Sequence, residues 1–113
     1  MSSQPTLIGT TTQFATFIVG KTILGIDIGV VHEINRNLKL TKIPLSPASV
    51  RGVMNLRGEV VTVLDMRMLL GHQATEPTSK SRNVIAKCDS ELIGLLVDGV
   101  ADILSIEDHE IMP

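Results

Sequence analysis

A chain of 113 residues, 43% apolar and 19% charged, has the length of one domain with a modest core, which excludes a disordered tail. Its net charge of −2 and scattered basic residues argue against nucleic-acid binding, which needs a positive face to neutralise phosphates. A lone cysteine, Cys88, excludes an intrachain disulfide, and no apolar run approaches the roughly 20 residues of a membrane-spanning helix.

Residues 1–11 are polar and are expected to form a flexible arm. The N-terminal stretch "MSSQPTLIGTTTQ" lacks the basic and apolar regions of a secretory signal, so a soluble cytosolic protein is expected. "QFATFIVGKTILGIDIGVVHEI" is dense in β-branched residues and reads as strands, with Gly20-Lys21 where a tight hairpin turn belongs. Residues 38–42 alternate at period two, as a half-buried strand does, before Pro44 and Pro47 break the ladder. "SPASVRGVMNL" reads as one or two helical turns, with Ser46 as cap, Pro47 at the first helical position and Arg51 near the last carbonyls. "EVVTVLD" is a strand expected to be buried on both faces, and "MRMLLG" a single helical turn stopped by Gly71. "HQATEPTSKS" is a loop by composition, after which "RNVIAKC", the turn "DS" and "ELIGLLVDGVADIL" return to strands. The expected fold class is all-β.

An offset of 69 residues superimposes "ILGIDIGVVHEI" on "LIGLLVDGVADI". Gly25 falls on Gly94, Val31 on Val100, Glu33 on Asp102, Ile34 on Ile103 and Pro44 on Pro113, while the turn Gly20-Lys21 falls on Asp89-Ser90. Matching turns, charges and prolines at one spacing point to two similar β-subdomains, the first about 12–71 and the second about 82–113. The second copy lacks a counterpart of about 26 residues that follow Pro44, including the strand "EVVTVLD". It is therefore expected to be incomplete at its C-terminus, and strand-swapped self-association is expected from the edge this would leave.

Three histidines, His32, His72 and His109, lie far apart without metal-ligand spacing, so no metal site is expected. Cys88 closes an apolar strand, the usual setting of an inert thiol. No phosphate-cradling, GxSxG or HExxH motif occurs, and no nucleophile–base set is visible, so neither catalysis nor a cofactor is expected. The three arginines of residues 51–70 remain. Arg57 sits on a turn before an apolar strand, where it could clamp two loops or face a partner, with Glu33 and Asp65 as the acids available to pair internally.

The stretch "SVRGVMNLRGEVVTVLDMRMLLG" resembles the signature of the CheW-like domains, the coupling proteins of bacterial chemotaxis. "FIVGKTILGIDIGVVHEINR", "LTKIP" and "IGLLVDGVADILSIEDHEIMP" match that family's other blocks in order, over about residues 12–113. The combination of VxEI, RGxxNLRG, LDxR and LLVDxV makes the resemblance specific. It implies two SH3-like β-barrel subdomains and an adaptor without catalysis, cytoplasmic and placed at membrane-associated receptor arrays without inserting into the membrane. Its partners would be the regulatory domain of the histidine kinase CheA and the cytoplasmic tips of methyl-accepting chemoreceptors. Relatives run further, with a last segment supplying strands, in keeping with the missing counterpart.

Carried onto matching positions, the family's receptor contacts are Val31, Glu33 and Arg57, joined by Val100 and Ile103, positions that affect coupling. Val53 joins them as part of an apolar groove floor for a helical tip, with Glu33 and Arg57 setting register at the rim. The kinase-facing end of a barrel would include Arg82 and Asn83. Two other readings stay open. One is the same module within a CheV-type protein carrying a receiver domain, and the other an SH3-like barrel binding RNA, which would show salt-sensitive binding.

Overall fold

The computed structural model describes residues 11–107. The N-terminal arm except Thr11, together with His109 and Pro113, lies outside the described residues. Eight strands and one helical turn follow in order: β1 (Thr11–Val19), β2 (Thr22–Asp27), β3 (Val31–Asn35), β4 (Val50–Leu56), β5 (Glu59–Asp65), α1 (Met66–Leu69), β6 (Arg82–Cys88), β7 (Glu91–Val97) and β8 (Gly99–Glu107). They form two sheets, ordered β2-β1-β8 and β3-β6-β7-β5-β4. The architecture is that of an SH3-like β protein, as expected.

Three tight turns set the hairpins. Gly20, Arg57 and Asp89 all adopt left-handed backbone, with φ of 61°, 51° and 56°, the sense that matches the twist of paired strands. The first and third join β1 to β2 and β6 to β7, and the offset of 69 superimposes their registers. The pair Phe14–Asp27 falls on Asn83–Leu96, and Val19–Thr22 falls on Cys88–Glu91. The repeat extends to the strands that follow. Val31–Ala86 in one sheet falls on Val100–Phe17 in the other, and Asn35–Asn83 falls on Leu104–Phe14. Even the register shifts correspond, between Val31 and Glu33 and between Ala15 and Phe17.

Those pairings cross over. β3 follows the first hairpin but pairs with β6 of the second, and β8 follows the second hairpin but pairs with β1 of the first. β3 and β8 are thus exchanged between the two hairpins. The five-stranded sheet is the one built on the later hairpin, because β4 and β5 join it, and the three-stranded sheet is built on the earlier one.

Two cores result. Ala15, Phe17, Val19, Met66, Val84 and Val97 pack between the sheets, with Leu24, Ile26, Val31 and Leu95 against them. Met54, Leu56, Val61, Val63, Ile85 and Leu96 fill the other face of the larger sheet, with Leu38, Leu40 and Leu92. With Phe17 as the one fully buried aromatic, aliphatic side chains carry most of the burial, each contributing about 1.5–3 kcal/mol.

Three local expectations are corrected. Residues 38–42 form no strand; Thr41 alone bridges to Val53. Leu38 and Leu40 do face the core, but side-chain oxygens of Asn35 and Asn37 take the N–H groups of Asn37 and Lys39, competing with a ladder. The expected helical turns at 46–56 are limited to the turn closed by Val50 N–H on the Pro47 carbonyl, because β4 begins at Val50 and pairs with β5. β5 buries Val61, Val63 and Asp65 on one face, whereas Thr62 and Leu64 are only half-buried on the other. The helical turn itself is as expected. Asp65 accepts N–H bonds from Arg67 (2.9 Å) and Met68 (3.3 Å), and Gly71 ends it with φ 83°.

The repeat makes a paired prediction. A Cβ at Gly94 would lie 2.7 Å from Asn83 Oδ1 and 2.8 Å from Val63 Cγ2, whereas at its equivalent Gly25 the nearest atom is Phe14 Cβ at 3.8 Å. Gly94→Ala should cost about 1–3 kcal/mol and Gly25→Ala less than about 0.5 kcal/mol, read by urea unfolding.

Candidate functional site

Arg57 occupies the β4–β5 turn with Gly58, both in left-handed backbone, at φ 51° and 91°. Glycine tolerates this freely, but for arginine it costs on the order of 1 kcal/mol. Asn55 holds the turn, its Oδ1 accepting the Gly58 N–H at 2.8 Å. The strained residue is thus fixed at the tip of a hairpin with its side chain 68% exposed.

The guanidinium does not float free. Arg57 Nη2 is ion-paired with Glu33 Oε1, and Asn35 Nδ2 donates to Glu33 Oε2 at 3.1 Å. Glu33 reaches this place through the strand exchange, which seats β3 at the edge of the larger sheet. The Arg57 hydrogen bond first, then that from Asn35, hold the Glu33 carboxyl below its ordinary value of 4.5, against a small opposing effect of burial. So open a pair contributes at most about 1 kcal/mol to stability, and its value lies in presenting two opposed charges in fixed register.

The other expected contacts separate. Val31, at the start of β3, is half-buried and packs on the core between the sheets. Val100 and Ile103 lie on β8 of the smaller sheet, opposite Phe17 and Ala15, and are 45% and 59% exposed. They occupy the positions that Val31 and Ile34 occupy in the other sheet, so these four are related by the repeat rather than gathered in one patch. Ile34, 40% exposed, was not among the expected contacts, though its alignment with Ile103 could have marked it. Val53 is half-buried on the outward side of β4, opposite the inward Met54, and pairs with Thr62 and Thr41.

Of the two kinase-facing residues, Asn83 is a correction. It is fully buried, with Nδ2 donating to Met54 Sδ at 2.9 Å and to the Asn37 carbonyl at 3.4 Å, so its side chain offers no surface to a partner. Strand alternation explains it, since Asn83 and Ile85 share the face turned into the second core. Arg82 is half-buried and donates from Nη1 to the carbonyls of Ser79 (2.9 Å) and Ser81 (2.7 Å), ordering the loop before β6.

The remaining arginines are structural. Arg51 lies 3.6 Å from the buried carboxylate of Asp65, not on a helix end. Arg67 joins α1 to Asp98 at 2.9 Å and to the Gln73 carbonyl at 3.1 Å, and the same Asp98 oxygen accepts the Gly20 N–H at 2.6 Å. The sequence flagged Asp98 only inside a motif; its role as a tie between the two hairpins depends on the fold. Among the described residues no group of three His, Cys, Asp or Glu is placed to hold a metal ion, and no helix is long and apolar enough to cross a membrane.

A family model for the CheW-like domain matches residues 13–113. The chain is 40% identical over 101 residues to the chemotaxis protein CheW of Rhizobium meliloti (strain 1021), an alignment covering 89% of this chain and 65% of that one. It is 33% identical to the chemotaxis protein CheW of Klebsiella aerogenes, over 89% of this chain and 61% of that one. The crystal structure of the scaffolding protein TtCheW from Thermoanaerobacter tengcongensis superimposes with a TM-score of 0.87 at 30% identity, covering 92% of this chain and 71% of that one. The chain spans somewhat less than two thirds of the length of these curated relatives.

A pH dependence follows from Glu33. Because its folded pKa is lowered, the stabilisation by Arg57 is fully present above the unfolded value near 4.5 and is lost as pH falls through the folded value. Carboxyl NMR should show Glu33 titrating below 4.5, and Arg57→Ala should move it upward.

Proposed function

The chain belongs to the CheW-like domain family, and from that membership we propose that it is a chemotaxis scaffold that binds a histidine kinase and chemoreceptors without catalysing a reaction. The kinase partner is the CheA regulatory domain, and the receptor partner is the cytoplasmic tip of a methyl-accepting chemoreceptor. In this role the protein is cytoplasmic and works at the membrane-associated receptor array.

The observation that carries the reading is the placement of Arg57: exposed, conformationally strained, and held in register against Glu33 at the edge of the larger sheet. A receptor tip is a helical hairpin, and a helix seated on a sheet edge needs apolar contact with a few charges to fix its register. Glu33 and Arg57 supply the charges. Val31 supplies apolar surface beside them, while Val100 and Ile103, more exposed than core residues, supply it on β8. Val53 adds to it from the outward face of β4. The kinase-facing surface centres on the loop that Arg82 orders, with Asn83 dropped.

Arginine is enriched among residues that dominate interface energies, where its loss costs about 2 kcal/mol or more. Arg57→Glu should therefore weaken binding to a receptor-tip fragment from the same genome by at least about thirtyfold, with the melting temperature nearly unchanged. Calorimetric titration of both partners on the full chain provides the measurement. Unfolding of the variant would make Arg57 a structural clamp, and unchanged affinity would remove it from the receptor site.

A further inference from the structure

The loop between β3 and β4 holds a tight turn at residues 43–46. The Ser46 N–H donates to the Ile43 carbonyl at 3.3 Å, and the Ser46 hydroxyl donates to the same oxygen at 2.8 Å. Pro44 takes the second position, where its ring fixes a negative φ, and Leu45 takes the third with φ 63°. This is the pattern of a type II turn, whose third position suits glycine or asparagine because a Cβ is crowded there. A leucine stands there instead. Its side chain is fully exposed, the most exposed of the large apolar side chains among the described residues.

Leu45 therefore serves neither the turn it occupies nor either core. The loop that carries it is nonetheless held at both ends. Thr41 exchanges both backbone hydrogen bonds with Val53, at 2.9 and 2.8 Å, and the Asp65 N–H donates to the Ser49 carbonyl at 2.7 Å. These anchors belong to the larger sheet, in which β4 and β5 are both in place. On the pattern of the repeat, a counterpart of β5 would join β2 in the smaller sheet and not this one.

Beside Leu45 the same loop walls a half-open hollow of about 440 Å³. Leu38, Leu40 and Ile43 give it apolar walls, and Ala48 leaves it room. Lys42 and Glu76, both exposed, place opposite charges at it, while Arg51 is already matched by the buried Asp65. We propose that this surface docks on the same surface of a second copy of the chain, about a two-fold axis between the turn and the hollow. Leu45 of each copy enters the hollow of the other, and Lys42 of each faces Glu76 of the other. A second copy fits because the chain carries both halves of the apolar match and both signs of charge side by side. The two-fold then makes every contact twice, as a closed isologous dimer requires. A loop fixed before contact loses little freedom on docking, so the burial of Leu45 is available to drive association. The dimer is independent of the scaffold reading and uses none of its residues.

The test is analytical ultracentrifugation of the full chain up to millimolar concentration. The unaltered chain should show a concentration-dependent monomer–dimer equilibrium. Leu45→Asn, which suits the left-handed backbone, should keep or raise the melting temperature while weakening the dimer about tenfold or more. Ala48→Glu, at an exposed position, should weaken it by placing a charge in the hollow. Lys42→Glu or Glu76→Lys alone sets like charges against each other and should weaken it severalfold, and the two together in one chain should recover it. A dimer indifferent to Leu45→Asn or to the charge swap would overturn the proposal. A lower melting temperature for Leu45→Asn would do so by making the leucine part of the fold. A monomer at every concentration would also overturn it, including one in which Leu45→Asn weakens binding to a kinase or receptor fragment and the loop belongs to that partner.

Discussion

Phe17, Val19, Val84 and Val97 are fully buried because two hairpins face each other across them, and the hairpins are bound together by trading β3 for β8. Each sheet is completed by a strand that the other half of the chain supplies. Neither hairpin could close the inter-sheet core alone, since an isolated two-stranded unit is at best marginally stable in water. The exchange also sets the functional geometry. Without it, β3 would not lie in the same sheet as the β4–β5 turn, and Glu33 would not meet Arg57.

Three arginines within residues 51–67 end with three different acids, and the depth of the acid decides what each pair does. Asp65 is almost fully buried and also caps α1, so Arg51 compensates a charge removed from water. Asp98 binds Arg67 and the Gly20 N–H together, tying α1 and the first hairpin turn to the β7–β8 corner. Glu33 sits at the surface, where an ion pair contributes little to stability but can orient a partner. Identical side chains thus meet one buried, one half-buried and one surface acid, and only the last pair stays open to solvent.

The smaller and larger sheets differ in how much of their apolar surface is covered. The larger sheet has β4 and β5 curled over Ile85 and Leu96. The smaller leaves Ile23, Val100, Ile103 and Leu104 substantially exposed. Ile103 and Leu104, neighbours on β8, point to opposite faces, so the exposure is spread over both sides of the smaller sheet.

Much of this was readable in the chain itself. Period-two alternation, β-branched density and paired turn residues located seven of the strands, and the offset of 69 anticipated equivalences that the registers now bear out. The misreadings share one cause. Residues 38–42 and 46–56 carry local patterns that long-range partners override: Asn side chains capture the first segment's donors, and β5 draws Val50–Leu56 into a strand. Asn83 was expected at a kinase-facing barrel end through the family resemblance, and strand parity turned it inward. Local sequence determined where strands and turns form, because backbone preference and side-chain alternation act over a few residues. Which sheet each strand joins, and therefore which acid meets Arg57, was decided only by tertiary structure, because strand pairing between distant segments depends on the whole core they enclose.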